Sequence, residues 1–275
     1  LLRAEIDRAV PADATEDVKE HMARRKANAA VALLRLDEPE RVWPMLRHSP
    51  DPRDRSHLIE CLANLGTDAA ALADRLDREP DVDIRRALLL TLGSFTLGNV
   101  PKAVRTTLPP KVLKLYENDP DPGVHASAEW MLRMWHEDDR IGGMNESWRR
   151  DGRRRFDAVV TSLAGGTGSR LPQWYVDQAG LTMVVVPGPV EFLMGSPQDD
   201  DSANFNDTLH PKRIGRTFAI ANKPITVEQY RLFDPTYDVP ARFERLPNLP
   251  AVRISWHMAA AYCNALSHKE GIPSE

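Results

Sequence analysis

Asp54-Arg55-Ser56-His57 places the acid, hydroxyl and imidazole types of a nucleophilic triad side by side. A triad needs those groups in mutual hydrogen-bond reach, whereas neighbours on a helix project apart, so the segment reads as an ordinary helical turn. Thiol chemistry rests on two cysteines, Cys61 and Cys263, each in a separate helical pattern. They read as small buried side chains rather than a disulfide, which makes a reducing, cytoplasmic compartment the expectation. His210, His257 and His268 lack metal-ligand spacing, and His257 and Cys263 fall on different sides of one helix. Asp199, Asp200, Asp201 and Asp207 form an acidic loop without the glycine and closing glutamate of a helix-loop-helix calcium site. The sequence therefore nominates no catalytic residue and no metal ligand, and cofactor-binding residues stay unassigned.

Two further segments invite a phosphate reading. Gly165-Gly166-Thr167-Gly168-Ser169 lacks the G-x-x-x-x-G-K-[ST] order of a phosphate-binding loop. Arg149-Arg150 and Arg153-Arg154-Arg155 have one aromatic on each side, Trp148 and Phe156, and none interleaved as a single-stranded nucleic acid would require. Both read as parts of a Gly/Arg-rich linker over residues 142–173. With 36 Lys+Arg against 40 Asp+Glu, the charge balance calls for neither nucleic acid nor an anionic membrane. The longest apolar run, Met183-Val184-Val185-Val186, is far short of the roughly 18 residues of a membrane span.

The elements that must carry these side chains differ between the halves. In residues 1–141, Pro50-Asp51-Pro52, Pro80-Asp81-Val82 and Pro120-Asp121-Pro122 each precede an apolar helical stripe, at intervals of 30 and 40 residues. Asp51 and Asp121 are suited to accept from the free N–H groups that open a helix, and Pro52 and Pro122 to the first helical position. The stripes run through Leu58, Leu62 and Leu65; Ile84, Leu88, Leu92 and Phe95; and Val124, Ala128, Leu132 and Trp135, with Arg86 facing outward. Second helices follow at Ala69-Leu72-Ala73-Leu76 and Val112-Leu115-Tyr116, and Val18 to Leu36 with Val42-Trp43-Leu46 makes an earlier, degenerate unit. Trp130, Trp135 and His136 have the spacing of core and ridge positions rather than of a ligand stripe. Such units cannot bury their stripes alone and must stack. The run from Asp121 through Val124 and Ala128 to Leu132 resembles a HEAT repeat, and that resemblance implies a surface for a protein partner.

From Trp174 a different pattern begins. Leu181 to Val186 reads as a strand, Pro187-Gly188-Pro189 as a turn, and Val190 to Met194 as its antiparallel partner. Ile214 to Ile220 reads as a third strand and Val252-Arg253-Ile254 as a short fourth. Thr226 and Gln229 have capping-box spacing, and Ser255 is placed to cap a helix ended by Gly271.

Four segments in this order resemble the formylglycine-generating-enzyme (sulfatase-modifying factor) domain family. They are Val186-Pro187-Gly188 to Gly195-Ser196; His210 to Arg213 with Phe218-Ala219-Ile220; Pro224 to Tyr230 with Phe233; and Pro250-Ala251-Val252 to Ser255-Trp256 with Tyr262 and Cys263. The resemblance implies a multidomain chain: all-α HEAT-like repeats, the linker, then over 174–275 the N-terminal part of a mixed α+β, C-type-lectin-like domain. It also implies that both ends are cuts, as in multidomain bacterial signalling proteins, some of which carry a Ser/Thr protein kinase. Active members oxidise a protein cysteine to formylglycine with copper held by a cysteine pair that would lie beyond residue 275. The resemblance thus implies an oxidase for the intact protein if it carries that pair, and a fragment that is inactive by itself. The other role the resemblance allows is a non-catalytic interaction module. The iron-dependent sulfoxide synthases of the family are disfavoured, because His21, His48, His57, His125 and His136 are scattered.

Overall fold

A computed structural model describes residues 1–11, 13–164, 173–196, 208–239 and 249–271. The chain divides into two units, Leu1–Gly143 and Met144–Glu275. Among the described residues no helix is long and apolar enough to cross a membrane. The content is predominantly helical with small antiparallel sheets, a mixed α+β composition.

The helices of the first unit are α1 (Leu2–Ile6), α2 (Glu16–Arg35), α3 (Arg53–Asn64), α4 (Ala69–Arg78), α5 (Val82–Gly93), α6 (Lys102–Asn118) and α7 (Pro122–Met134), with Pro39–Arg41, Trp43–Leu46 and Leu97–Asn99 as 3-10 turns. Three of them, α4, α5 and α7, start at an aspartate whose carboxylate accepts from their open N–H groups. Asp68 accepts from Ala70 N at 2.9 Å, Asp81 from Asp83 N at 3.0 Å, and Asp121 from Val124 N at 2.8 Å. The prolines divide: Pro122 opens α7, whereas Pro52 stands one residue before α3 and Asp51 reaches Arg53 N. Helices α2, α3, α5 and α7 pack in succession, and α4 and α6 flank α5 and α7. Their interior holds Leu58, Leu62, Leu72, Leu88, Leu92, Val112, Ala128 and Leu132, all fully buried. Trp135 is core, its indole N–H donating to Leu92 O at 3.1 Å. Trp130 is partly exposed and lies over Gly93, where a side chain would collide with its ring.

The outward reading of Arg86 needs correction. Its guanidinium holds Asp121 across α5 and α7, at 2.8 Å from Nε to Oδ1, and also reaches Asp83 at 3.1 Å. Gly123 makes room for it, since a Cβ there would overlap the Arg86 side chain. A parallel brace joins Arg85 to buried Asp119, which in turn accepts from Asp121 N at 3.0 Å.

The expected linker is not a linker over most of its length. Residues 142–164 lie in α8 (Asp138–Arg150) and α9 (Gly152–Ala164), while Gly165 to Ser169 lie outside the described residues. The glycines misled because Gly142 and Gly143 sit in open space inside α8, where they cost helix propensity but nothing in packing. Gly152 has a reason of its own: a Cβ there would press on the backbone around Asp177.

The second unit contains β1 (Trp174–Val176), β2 (Thr182–Val186), β3 (Val190–Met194), β4 (His210–Ile214), β5 (Phe218–Ala221), α10 (Val227–Phe233) and α11 (Trp256–Lys269). The expected β2–β3 hairpin does not form. Sheet order is β1-β2-β5, with Trp174 opposite Val184 and Val184 opposite Ile220, while β3 pairs only with β4. Gly188 turns the chain against the Arg216–Thr217 backbone, at a separation no Cβ would permit, and its N–H donates to Thr217 Oγ1 at 3.1 Å. The expected strand over Ile214 to Ile220 is likewise split between the two sheets. Val159, Tyr175 and Val185 form the core under α9, and Val227, Tyr230, Tyr237 and Tyr262 that between α10 and α11. The Thr226–Gln229 capping box is formed, and Ser255 Oγ accepts from Met258 N at 3.3 Å.

Candidate functional site

The turn between β1 and β2 is built on one carboxylate. Asp177 exchanges backbone hydrogen bonds with Leu181 and Gly180, Gly180 adopting φ +83°, and its Oδ1 accepts from Leu181 N at 2.7 Å. The end of α11 reaches the same turn: Glu270 Oε1 accepts from Gln178 N at 2.7 Å. Helix α9 closes the group through Arg153, whose Nη1 donates to Glu270 O at 2.9 Å. Two carboxyl side chains, both more than nine-tenths buried, are thus gathered from the β1–β2 turn and the end of α11, where Gln178 N and Glu270 Oε1 meet across 92 residues.

Beside them lies a cavity of about 370 Å³, bordered by Phe156, Tyr175 and Phe218 as aromatic walls, by Asp177 and Glu270, and by Cys263. Burial pushes the Asp177 carboxyl up to about 6, with Glu270 adding to the rise and the Leu181 N–H opposing it. Burial, then the Asp177 charge, push the Tyr262 hydroxyl up to about 12; Tyr175 is raised by burial and by both carboxylates. Glu270 Oε2 is buried and has no hydrogen-bond partner. Chemically, the arrangement is a pair of buried carboxyl groups beside an aromatic-walled cavity, with one carboxyl oxygen that has no hydrogen-bond donor.

The residues first considered for chemistry lie elsewhere or are already engaged. In α3, Asp54 pairs with Lys26 at 3.1 Å and His57 Nε2 with Glu20 at 2.9 Å, so no triad assembles. His210 bonds the Thr208 carbonyl, His257 sets its ring edge-on to Trp256, and His268 occupies the last turn of α11. His125 is buried against Tyr116. Asp199, Asp200, Asp201 and Asp207 fall outside the described residues. Among the described residues no group of three His, Cys, Asp or Glu side chains is arranged to hold a metal. Four of the five arginines make structural contacts: Arg149 reaches Gln178 O, Arg150 pairs with Glu146, Arg153 reaches Glu270 O and Arg155 lies over the Trp148 ring, while Arg154 is exposed.

Both cysteines are free thiols, one in each unit. Cys61 is half-buried with Sγ 3.8 Å from Asn28 Oδ1, and burial raises its thiol; Cys263 is exposed, which corrects the expectation of a buried side chain there. The copper that the sequence resemblance implies takes a pair of soft thiolates, and these two residues do not fit that donor set.

Sequence reasoning missed Asp177 and Glu270. One signal was available for the second: a carboxylate at a helix C-terminus opposes the helix dipole, so Glu270 beside Gly271 called for another partner. The fold thus defines a stacked helical unit followed by an α+β unit with two small antiparallel sheets. Comparison with family models, with curated proteins and with solved structures gives no match.

Proposed function

We propose that this chain is a non-catalytic interaction module of a cytoplasmic bacterial signalling protein. In this reading HEAT-like repeats present a surface to a protein partner, and the second unit is a C-type-lectin-like domain of the formylglycine-generating type that does not itself oxidise cysteine. The observation that carries it is the state of the thiols, two free cysteines in separate units. Oxidation of a substrate cysteine in that family runs through a paired thiolate site, and a lone exposed thiol supplies neither the second ligand nor a preorganised geometry. The capped, stacked helices of the first unit support the scaffold role, since Arg85 and Arg86 brace α5 against the α6–α7 turn.

The test is direct. The purified 275-residue chain is incubated with a Cys-x-Pro-x-Arg peptide, copper and oxygen, and the peptide is followed by mass spectrometry. Unchanged cysteine is expected. Formylglycine in the wild-type reaction that disappears with Cys263→Ser would overturn the reading.

A further inference from the structure

We propose that the cavity beside Asp177 and Glu270 is a binding site for a primary alkylammonium group, supplied by a free amine or by a lysine side chain. The inference goes beyond the interaction role and does not depend on it. Its first support is the unused acceptor: Glu270 is 7% exposed, and its Oε2 is buried without a hydrogen-bond partner while Oε1 is occupied by Gln178 N. A buried charged oxygen left unmade is costly, and a cationic donor entering the cavity removes that cost. Its second support is the wall chemistry, because Phe156, Tyr175 and Phe218 line the same space, and aromatic faces attract organic cations while their bulk favours an alkyl chain.

Among the described residues no arginine or lysine forms an ion pair with either carboxylate. Arg153 gives Nη1 to the Glu270 backbone carbonyl and its Nε to Asp157, rather than to either carboxylate. Lys269 makes no ion pair among the described residues, though its charge does favour the ionised form of Asp177. Arg216 borders the cavity from its exposed side. At about 370 Å³ the space is at the small end of ligand pockets, generally about 300–1,000 Å³. It suits one amine on a short apolar chain, and an aquated metal ion would leave the aromatic walls unused.

The full chain is titrated calorimetrically with n-butylammonium, with n-butanol as the neutral isostere, and with calcium. Binding of butylammonium is expected, with butanol weaker by about tenfold or more. Glu270→Gln keeps the shape and removes the charge, and it should weaken butylammonium by a similar factor while the thermal midpoint holds. Should that variant unfold, Asp177→Asn serves the same purpose. An acetylated, amidated Gly-Lys-Gly peptide against its norleucine counterpart separates the sources: lysine-selective binding assigns a protein side chain, and binding of butylammonium alone assigns a free amine. Equal affinity for butanol and butylammonium, undiminished binding in both variants, or calcium displacing the amine would each overturn the proposal.

Discussion

Arg86 and Asp121 form a two-pronged ion pair between α5 and α7, with Nε–Oδ1 at 2.8 Å and Nη2–Oδ2 at 2.5 Å, and the same Oδ1 caps α7 through Val124 N. One carboxylate therefore performs two tasks, as Asp81 does one repeat earlier, where it caps α5 and accepts from Arg47 Nε at 2.8 Å. Asp121→Ala should destabilise the chain by about 2–4 kcal/mol, against about 1 kcal/mol for Asp68→Ala, which loses a cap alone. Burial would raise the Asp121 carboxyl, but Arg86 and the Val124 N–H outweigh it and hold it below the ordinary range. Its contribution is present above the unfolded-state value and is lost as pH falls through the folded one. Urea titrations of both variants at neutral and acid pH measure this; equal losses would show that the Arg86 pair contributes nothing.

Leu88 and Leu132 are fully buried on α5 and α7, so truncating either to alanine should cost about 2–5 kcal/mol. Arg105, exposed on α6, is the control, and Arg105→Ala should stay within about 0.5 kcal/mol. Thermal unfolding of the three variants distinguishes a packed stripe from a solvated one.

Tyr237 holds the segment that was expected to be a strand. Its hydroxyl donates to Val252 O at 2.5 Å and accepts from Val252 N at 2.9 Å, taking both groups that a neighbouring strand would have used. Tyr237→Phe keeps the ring contacts and leaves those groups unpaired, at a cost of about 1–3 kcal/mol. Amide exchange at Val252 should accelerate in the variant while that at Tyr230, inside α10, changes far less.

Asp177 supplies a pH dependence of opposite sign to that of Asp121. Its folded value, about 6, lies above the unfolded one, so it favours folding at low pH. That advantage fades as pH rises from roughly 4 to 6, to a penalty of order 3 kcal/mol above the window. Glu270 raises it, Lys269 opposes, and Tyr175, Tyr262 and Arg153 complete the charged and titratable surroundings. Asp177→Asn keeps an acceptor for Leu181 N and should be the more stable protein at pH 7.5, with the difference vanishing near pH 4. A difference that grows on acidification would refute the assignment.

Local signals were legible wherever a residue acts on its own neighbourhood. Asp121, Thr226 and Ser255 cap the helices their spacing predicts, and Ile84, Leu88 and Leu132 lie inward, because helix period and capping are set within a few residues. Glycine and proline punctuation was less reliable. Gly142-Gly143 suggested a linker where the tertiary environment sustains α8, and Pro187-Gly188-Pro189 suggested a hairpin where Gly188 instead sends β3 to a second sheet. Turn residues state that the chain bends, but not which strand it meets next.

What the amino-acid sequence alone determined, then, was the division into an apolar-striped helical half and a strand-containing half, most helix starts, and the separation of the two thiols. The tertiary structure alone decided which charges meet: Arg86 with Asp121, Arg153 with the end of α11, and Asp177 with Glu270 beside an aromatic cavity. The physical reason is range. Capping and amphipathic period act over one or two helical turns, whereas the cost of a buried carboxyl depends on atoms brought in from far along the chain, as Gln178 N is to Glu270 Oε1 across 92 residues.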